Sequence, residues 1–353
     1  MRHRREFLRL CGAGAVMLPA ALFGQQPSQR RQLSIGRRRI RVIDIHAHCI
    51  IPVEHLLTGT PLAGSGGGTA PGTLLGPDRL QTMDRQGVDM QALSINFYWW
   101  YAADRDLARR IVSAQNDGLA AWVAKYPERF VALASVALQH PDLAAEQLED
   151  AVKRLGMRGA SIGGHVNGED LSLPKYDPFW AKAAELGVPV FMHPNGSANL
   201  VRQGALAGRG DLGNIIGNPL ETTYFLSRLI FDGVFDRFPS LRVIGAHAGG
   251  YLPSYLGRSD YACNRPNANC LSKRPTRAYL QSQILIDTMV FSEEGLRHLV
   301  AEVGSSQVVY GTDVPYAWPV TVDLVLEAAF LSDAQKEAIL GGNLARLLRI
   351  PAV

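Results

Sequence analysis

Eight short, continuously apolar runs alternate with segments of helical spacing along most of this chain, and this alternation limits the fold more than any other feature. Apolar runs without polar alternation are typical of strands buried on both faces, as in a parallel sheet covered by helices. The runs are Ile40–His46, Met90–Asn96, Phe130–Leu138, Gly159–Gly163, Val188–His193, Leu241–His247, Gln283–Thr288 and Val308–Asp313. Eight βα units in succession predict one α/β domain with the architecture of a (β/α)₈ TIM barrel.

Helical spacing fills the intervals between the runs, and the chain is expected to end in a closing helix, Ser332–Leu348, with Ser332 as its N-cap. Two glycine-rich stretches, Thr58–Gly76 and Asn195–Asn218, predict long loops. Both follow predicted strands, so in a barrel they would lie at the active-site mouth. The other predicted helices are Asp104–Tyr126, Asp142–Leu155, Pro178–Leu186, Glu221–Arg237 and Glu293–Val303.

Charge is unevenly divided between the N-terminus and the rest of the chain, whose formal net charge is +4. Residues 1–41 carry ten Lys or Arg and one acidic residue, whereas residues 42–353 carry 26 basic and 31 acidic residues, a net of −5. Nucleic-acid binding requires basic residues gathered in one face or module, and no such cluster follows residue 41. We therefore predict no nucleic-acid partner.

The N-terminus has the pattern of a twin-arginine export signal. Arg4 and Arg5 precede an apolar run, Leu10–Phe23, that is too short to span a hydrocarbon core of about 30 Å. We expect residues 1–26 to be a signal peptide, 27–39 a basic linker and 40–353 a single barrel domain. The twin-arginine export machinery is then a partner, and the protein is periplasmic or exported. No clear A-x-A site precedes Gln25, so an uncleaved anchor is the alternative.

The chain has four cysteines, and none has the CxxC spacing of a zinc site. Cys11 lies in the predicted signal. In an oxidising compartment Cys263 and Cys270 either form a disulfide that closes the intervening loop or remain free.

Five polar side chains stand at the carboxyl ends of predicted strands: His46, His48, His193, His247 and Asp313. Alternation along a strand places His46 and His48 on one face, and a barrel brings its strand ends together. Buried imidazoles and carboxylates need partners to offset lost solvation, and a metal ion supplies one. These N and O donors suit Zn²⁺, with Mn²⁺, Fe²⁺ or Co²⁺ as alternatives.

The motifs around these residues resemble the amidohydrolase superfamily: HxH at 46–48, HP at 193–194, AHxGG at 246–250 and GTD at 311–313. The resemblance covers nearly the whole chain after the signal. Within the superfamily the chain is most similar to the aminocarboxymuconate semialdehyde decarboxylase group, as shown by further segments at 83–88, 91–94, 164–167, 221–223 and 257–258. Binuclear members carry a lysine on strand four, and Gly159–Gly163 has none, so a single metal ion is expected.

The resemblance implies that His46, His48, His193 and Asp313 are the metal ligands. It also implies that His247 is the acid/base and that Asp313 shares in catalysis. A divalent ion can lower the pKa of bound water to about 7, and an imidazole can accept or return the proton.

Four further residues are expected at the substrate. Arg258 resembles an arginine that reaches the substrate carboxylate in the neighbouring subunit of the decarboxylase dimer, which implies a homodimer here. His165 follows strand four, and Trp99 and Trp100 are expected in an aromatic wall at the mouth. The family's second substrate arginine is missing around Gly68, so a grip by two arginines is not expected.

Two carboxylates have open roles. Asp44 shares a strand face with the two histidines and either supports a ligand or makes a structural hydrogen bond. Glu221 either orients a ligand or caps its helix.

These residues predict a mononuclear metal-dependent lyase that removes CO₂ from a small unsaturated or aromatic carboxylic acid. The alternative is a metal-dependent hydrolase of a lactone, ester or amide, or a hydratase, on the same barrel, because the fold does not fix the reaction. A metal-binding barrel without catalysis is the third possibility, and the presence of His247 argues against it.

Overall fold

The computed structural model describes residues 30–65 and 72–351. The predicted signal at residues 1–26 and the glycine-rich stretch at Gly68 lie outside these residues. Within them, eight parallel strands follow one another in chain order. They are β1 (Ile43–His48), β2 (Met90–Ser94), β3 (Phe130–Ala132), β4 (Ala160–Ile162), β5 (Val190–Met192), β6 (Val243–Gly245), β7 (Ile284–Asp287) and β8 (Val308–Val309).

The strands form a three-stranded sheet, β1 to β3, and a five-stranded sheet, β4 to β8. Two parallel bridges join the sheets: Ala134, after β3, pairs with Ala160 of β4, and Ala47 of β1 pairs with Val314, after β8. The amide of Ile45 also donates to the carbonyl of Tyr310, at 3.0 Å. These contacts connect both pairs of sheet edges, so the predicted (β/α)₈ barrel is confirmed.

Buried side chains divide into an inner and an outer layer, as expected for strands covered on both faces. One cluster joins alternate strand residues, such as Ile45 and Phe191, to Leu344 and Leu348 near the C-terminus. The larger cluster joins the intervening strand residues to the helices. The C-terminal segment therefore packs against the barrel interior.

Helices connect successive strands and cover the outside of the barrel. The longest, α2 (Arg105–Lys125), begins after Asp104, whose side chain accepts the amide of Leu107 at 2.9 Å. Four-residue helices occur at Glu54–Leu57, Val234–Arg237 and Ala246–Gly249. The longer helices are α1 (Pro77–Gln86), α2 (Arg105–Lys125), α3 (Pro141–Lys153), α4 (Asp177–Leu186), α5 (Asn218–Phe231), α6 (Leu256–Ala262), α7 (Thr276–Leu280), α8 (Glu293–Val303), α9 (Val322–Glu327), α10 (Asp333–Glu337) and α11 (Asn343–Leu347).

Several predicted elements differ in extent from those observed. The predicted helix Glu221–Arg237 is interrupted after α5, because Gly233 adopts φ +72°. Ser332 caps α10 through a capping box with Gln335, as predicted. The closing helix, however, is not one element: a π-helical segment, Ala338–Gly342, separates α10 from α11. The predicted strand Phe130–Leu138 was too long, and β3 ends at Ala132.

The described part of the predicted basic linker packs against the amino end of the barrel. Residues 34–39 form a small antiparallel hairpin. The guanidinium groups of Arg30 and Arg39 contact Asp89, which directly precedes β2, and Arg38 pairs with Glu337 of α10. No helix among the described residues is long and apolar enough to cross a bilayer.

Candidate metal centre

Four imidazoles and one carboxylate converge where the strands end. His46 Nε2 lies 3.1 Å from His48 Nε2 and 3.0 Å from Asp313 Oδ1. Four atoms that could bind a metal ion lie within 4.8 Å of one another, one from each of His46, His193, His247 and Asp313. His48 belongs to the same group, because its Nε2 lies 2.8 Å from Asp313 Oδ1. All five polar residues predicted at strand ends therefore meet at one place.

Three of these residues follow their strands and do not lie within them, contrary to the predicted strand bounds. His193 comes directly after β5, His247 two residues after β6, and Asp313 four residues after β8. His247 and Asp313 adopt left-handed conformations, with φ +53° and +57°. A residue other than glycine rarely adopts this conformation unless the surrounding structure enforces it.

Asp287, at the end of β7, enforces the conformation at His247, and it was not among the site residues predicted from the sequence. Its Oδ2 accepts the His247 amide at 3.1 Å, and its Oδ1 accepts the Ala248 amide at 2.7 Å. Oδ2 also contacts His46 Nδ1 at 2.8 Å. One carboxylate therefore orients the imidazole of His46 and the backbone of His247. A polar residue at the end of an apolar strand was the available signal.

Asp44 makes structural hydrogen bonds, which decides between its two predicted roles. Its Oδ1 accepts the amides of His46 at 2.9 Å and Thr312 at 3.1 Å. Its Oδ2 accepts the Thr312 hydroxyl at 2.7 Å and the Gln91 side-chain amide at 2.9 Å. The fully buried Asp44 thus ties β1 to the segment before Asp313 and to β2.

The charge states of the cluster follow from burial and from mutual contacts. Burial, together with the neighbouring histidines, lowers the pKa of His193 well below its ordinary value. The same two causes lower the pKa of His48 to about 4, although its contact with Asp313 acts in the opposite direction. Burial also opposes charge on His46, but Asp313 and Asp287 outweigh it and raise the His46 pKa to about 10. Burial would raise the pKa of Asp313, but contacts with His46, His247 and His48 hold it well below its usual range.

This donor set fits a divalent cation. His46 Nδ1 contacts Asp287, and His193 Nδ1 contacts the carbonyl of Pro194 at 3.0 Å. Hydrogen bonds donated by these Nδ1 atoms leave the Nε2 lone pairs of His46 and His193 for the cluster. Without a cation, the raised pKa of His46 means that a proton lies among these donors, and a divalent cation held by the Nε2 atoms would take its place. Three imidazoles and one carboxylate make a set that binds first-row divalent metals.

A family model described as amidohydrolase matches residues 43–350. The chain belongs to the amidohydrolase family.

Several similar proteins are named as decarboxylases, and one, 26% identical over 293 residues, is named as a 2-keto-4-carboxy-3-hexenedioate hydratase. A 2-amino-3-carboxymuconate-6-semialdehyde decarboxylase of Dictyostelium discoideum is 33% identical over 280 residues, which covers 76% of this chain and 75% of the relative. The structure of 5-carboxyvanillate decarboxylase from Sphingomonas paucimobilis is 28% identical, with a TM-score of 0.79 over 88% of this chain and all of that one. A dihydroxybenzoic acid decarboxylase from Polaromonas sp. JS666, solved with manganese and 2-nitroresorcinol, is 26% identical, with a TM-score of 0.75 over 89% and 98% of the chains.

In this amidohydrolase, His247 differs from the other four residues of the cluster. Its side chain is 14% exposed, compared with at most 3% for His46, His48 and Asp313. His247 Nε2 lies 3.8 Å from Asp313 Oδ2, farther than the corresponding contacts of His46 and His48. An imidazole at the edge of the cluster, open to the mouth, can exchange protons with a bound molecule.

The aromatic side chains around the cluster are only partly those predicted. Trp99 stacks on His193, with ring centroids 6.2 Å apart, and so lies beside the site. Trp100 does not, because it packs with Leu107 and Ile111 of α2 in a separate buried cluster. The structure therefore shows a packing role for Trp100, and its place at the mouth stays a prediction.

Two other aromatic rings contact His48. The Phe97 centroid lies 5.0 Å from the His48 ring and the Tyr316 centroid 5.3 Å from it. Tyr316 is 44% exposed and follows Asp313 by three residues. Phe97 lies two residues before the predicted Trp99, whereas Tyr316 was not predicted, because a lone tyrosine after the GTD motif carries no periodic signal.

In the described structure, neither His165 nor Arg258 makes a hydrogen bond, ion pair or ring contact with the cluster. His165 uses both ring nitrogens: Nδ1 accepts the Gly168 amide at 3.0 Å and Nε2 contacts the Gly196 carbonyl at 3.1 Å. These contacts give His165 a structural role between two loops, and its contact with the substrate stays a prediction. Arg258 lies exposed on α6, and no hydrogen bond or ion pair joins its guanidinium to the described part of the chain.

Two further sequence predictions concern α6 and α5. A disulfide joins Cys263 to Cys270, with Cα atoms 5.5 Å apart, and closes the loop after α6. Glu221 neither caps α5 nor contacts the cluster. Its Oε1 accepts the amides of Gly164 at 3.1 Å and Asn195 at 2.9 Å.

Proposed function

We propose that this protein is a metal-dependent decarboxylase of a small aromatic or unsaturated carboxylic acid. The supporting observation is the convergence of His46, His48, His193, His247 and Asp313 at one end of the barrel. The decarboxylases to which the chain is similar support the reaction class. Phe97 and Tyr316, whose rings contact His48, are suited to a planar ring beside the cluster.

We assign the ligand role to His46, His48, His193 and Asp313, and we propose Zn²⁺ as the ion. Neutral imidazoles with one carboxylate are typical of Zn²⁺ sites. Mn²⁺ is the main competitor, since the same donors accept it and a related structure contains it. When bound, the cation would polarise the substrate carboxylate and neighbouring oxygens as a Lewis acid.

His247 and Asp313 are the residues proposed to handle the proton. In decarboxylation the bond between the substrate carbon and its carboxylate breaks, CO₂ leaves, and the electron pair left on carbon takes up a proton. His247 is open to the mouth, so its imidazole can deliver that proton, and Asp313 Oδ2, 3.8 Å from His247 Nε2, would accept a hydrogen bond from it after a small approach. Burial of the cluster excludes water from the carbon as charge develops.

A homodimer would give Arg258 its function. Its guanidinium is exposed and has no partner in the described part of its own chain, and a planar guanidinium pairs well with a carboxylate. We propose that Arg258 contacts the substrate carboxylate across a dimer interface. Arg258→Ala should impair carboxylate substrates in a dimer of unchanged mass, and an equal loss with neutral substrates would contradict this role.

A substrate panel tests the reaction class. Metal-loaded protein is incubated with hydroxybenzoic and unsaturated dicarboxylic acids, and released CO₂ is measured beside the acid released from lactones and esters. We expect CO₂ from at least one acid, and we expect His247→Ala to lose most turnover while it keeps the metal. Ester or lactone hydrolysis without any CO₂ would assign the protein to the hydrolases.

We also propose export through the twin-arginine pathway. The supporting feature is the Arg4-Arg5 pair ahead of a short apolar run. Fusion of residues 1–39 to a reporter should send it to the periplasm, and Arg4→Lys with Arg5→Lys should retain it in the cytoplasm. A reporter exported equally by both fusions would contradict the proposal.

A further inference from the structure

The N-terminal part of α5 contacts the loops that follow three successive strands. Glu221 Oε1 accepts the amide of Gly164, after β4, and of Asn195, after β5. Thr223 Oγ1 accepts the amide of Tyr251, after β6, at 2.7 Å, and donates to Pro219 at 2.7 Å. Two side chains of one helix therefore bind the backbone of all three loops.

Two glycines allow these loops to approach α5 closely. A Cβ atom on Gly164 would lie 2.4 Å from Glu221 Oε1. A Cβ atom on Gly250, which adopts φ +66°, would lie 2.2 Å from the carbonyl oxygen of Pro219 and 2.5 Å from Thr223 Oγ1. Any larger residue at either position would displace its loop. The contacts are thus built into the close packing of helix and loops.

The loops also carry two residues of the metal centre. Asn195 follows His193 by two residues, and Tyr251 follows His247 by four, with Gly250 between them. The rings of His193 and His247 lie 5.2 Å apart. A short backbone segment connects each histidine to an amide that is hydrogen-bonded to α5, Asn195 for His193 and Tyr251 for His247. If either hydrogen bond were lost, its loop would move and the distance between the two rings would change.

We propose that Glu221 and Thr223 are positioning residues that fix His193 and His247 relative to each other through the backbone of their loops. This inference rests on the proposed roles of the two histidines. Neither residue contacts the cluster, so both act through the loops. The remaining carboxyl oxygen of Glu221, Oε2, is buried without a hydrogen-bond partner in the described structure, which leaves Oε1 as the bonding atom.

Thr223→Val removes the acceptor for Tyr251 and keeps the shape of the side chain. Thr222→Val is the matched control, because Thr222 lies on the same turn and bonds only the carbonyl of Asn218 within α5. We expect Thr223→Val to lower kcat by about ten- to a hundredfold, with KM little changed, since misplacement by about 1 Å can cost that much. Thr223→Ser should restore kcat, and Thr222→Val should leave it unchanged.

Glu221 offers a second pair if Thr223→Val does not fold. Glu221→Gln keeps an acceptor oxygen for Gly164 and Asn195, whereas Glu221→Met of similar length does not. We expect kcat to fall more in the Met variant, and the visible spectrum of the Co²⁺-substituted protein to change only in that variant.

Crystal structures separate this inference from the proposed function. We expect the distance between the His193 and His247 rings to change in Thr223→Val and not in Thr222→Val. An unchanged distance, or equal losses of kcat in both valine variants, would overturn the positioning role. Absence of CO₂ release by the wild-type protein would refute the proposed function, while the ring distances would still decide the role of α5.

Discussion

The two ends of the barrel balance their charges in different ways. At the amino end, Asp89 has two cationic partners, Arg30 and Arg39, and also accepts the Val42 amide at 2.8 Å. At the carboxyl end, Asp313 is surrounded by imidazoles, and burial lowers the pKa of two of them, His48 and His193. The charge at the amino end is therefore balanced by the protein itself. At the carboxyl end, by contrast, several lone pairs lie close together where a bound cation would stabilise them.

The difference separates residues that stabilise the fold from residues arranged for chemistry. Ion pairs with partly exposed partners, such as those of Asp89 with Arg30 and Arg39, contribute modestly to the stability of the fold. Buried donors that face one another cost stability unless a ligand joins them. Left-handed backbone at His247 and Asp313, found at the carboxyl end, agrees with that interpretation.

The largest effect is expected from His46→Ala, which removes the histidine at the centre of the cluster. The variant should lose most bound metal, and its kcat should fall at least about a thousandfold, because the remaining donors no longer surround one position. Elemental analysis and CO₂ release measure both effects. His55→Ala, at an exposed histidine outside the cluster, is the control. Full metal content in His46→Ala would remove His46 from the ligand set.

A second prediction concerns the buried carboxyl of Glu221. Burial, only partly offset by backbone hydrogen bonds, raises its pKa from 4.5 to about 7. Between these two pH values the folded protein holds a proton on Glu221 that the unfolded chain has released. The contribution of this proton to the free energy of unfolding is fully present below about pH 4.5 and is lost as pH rises through 7. The loss amounts to about 3 kcal/mol.

Glu221→Gln removes this titration. The free energy of unfolding of this variant minus that of the wild type, both measured by urea denaturation, should therefore increase as pH rises from 4.5 to 8. The test compares how the free energy of unfolding of each protein changes with pH. An unpaired amide in the variant lowers that free energy by the same amount at every pH and does not affect the comparison. Parallel curves for the two proteins would show that Glu221 does not titrate in this range.

Sequence reasoning found the strands and the cluster because both depend on local patterns. Apolar runs predicted all eight strands, and polar residues at their ends predicted His46, His193 and Asp313 together. Strand bounds were less exact, since an apolar run continues past the last ladder hydrogen bond, as it does after Ala132. The pattern of apolar residues alone does not show at which residue the backbone leaves the sheet.

Residues that act through long-range contacts escaped the sequence analysis. Asp287 bonds His46 across 241 positions and holds the backbone of His247, but in the sequence it is one aspartate at the end of an apolar run. The buried position of Trp100 depends on its packing against α2. Such roles are set by tertiary neighbours that composition and spacing do not specify.

The third prediction tests Asp287 as the support of the metal centre. Asp287→Asn keeps the shape but weakens the contact with His46 and the hydrogen bonds to the loop at His247. Loss of such a support typically lowers metal affinity by about ten- to a hundredfold. Competition with a chromogenic chelator measures the affinity. Affinity equal to that of the wild type would mean that His46 is oriented by its packing against Phe191.

The smallest effect is expected at the amino end, from Asp89→Asn. The side chain is only 7% exposed, so loss of its charge should cost about 1–2 kcal/mol of unfolding free energy through the contacts with Arg30, Arg39 and Val42. Metal content and kcat should stay at wild-type values, because the amino-end charges balance one another and do not touch the cluster. A change in metal affinity in this variant would mean that the two ends of the barrel are coupled. The contrast with Asp287→Asn, a carboxylate lost at the opposite end, therefore tests whether only the carboxyl end is arranged around a cation.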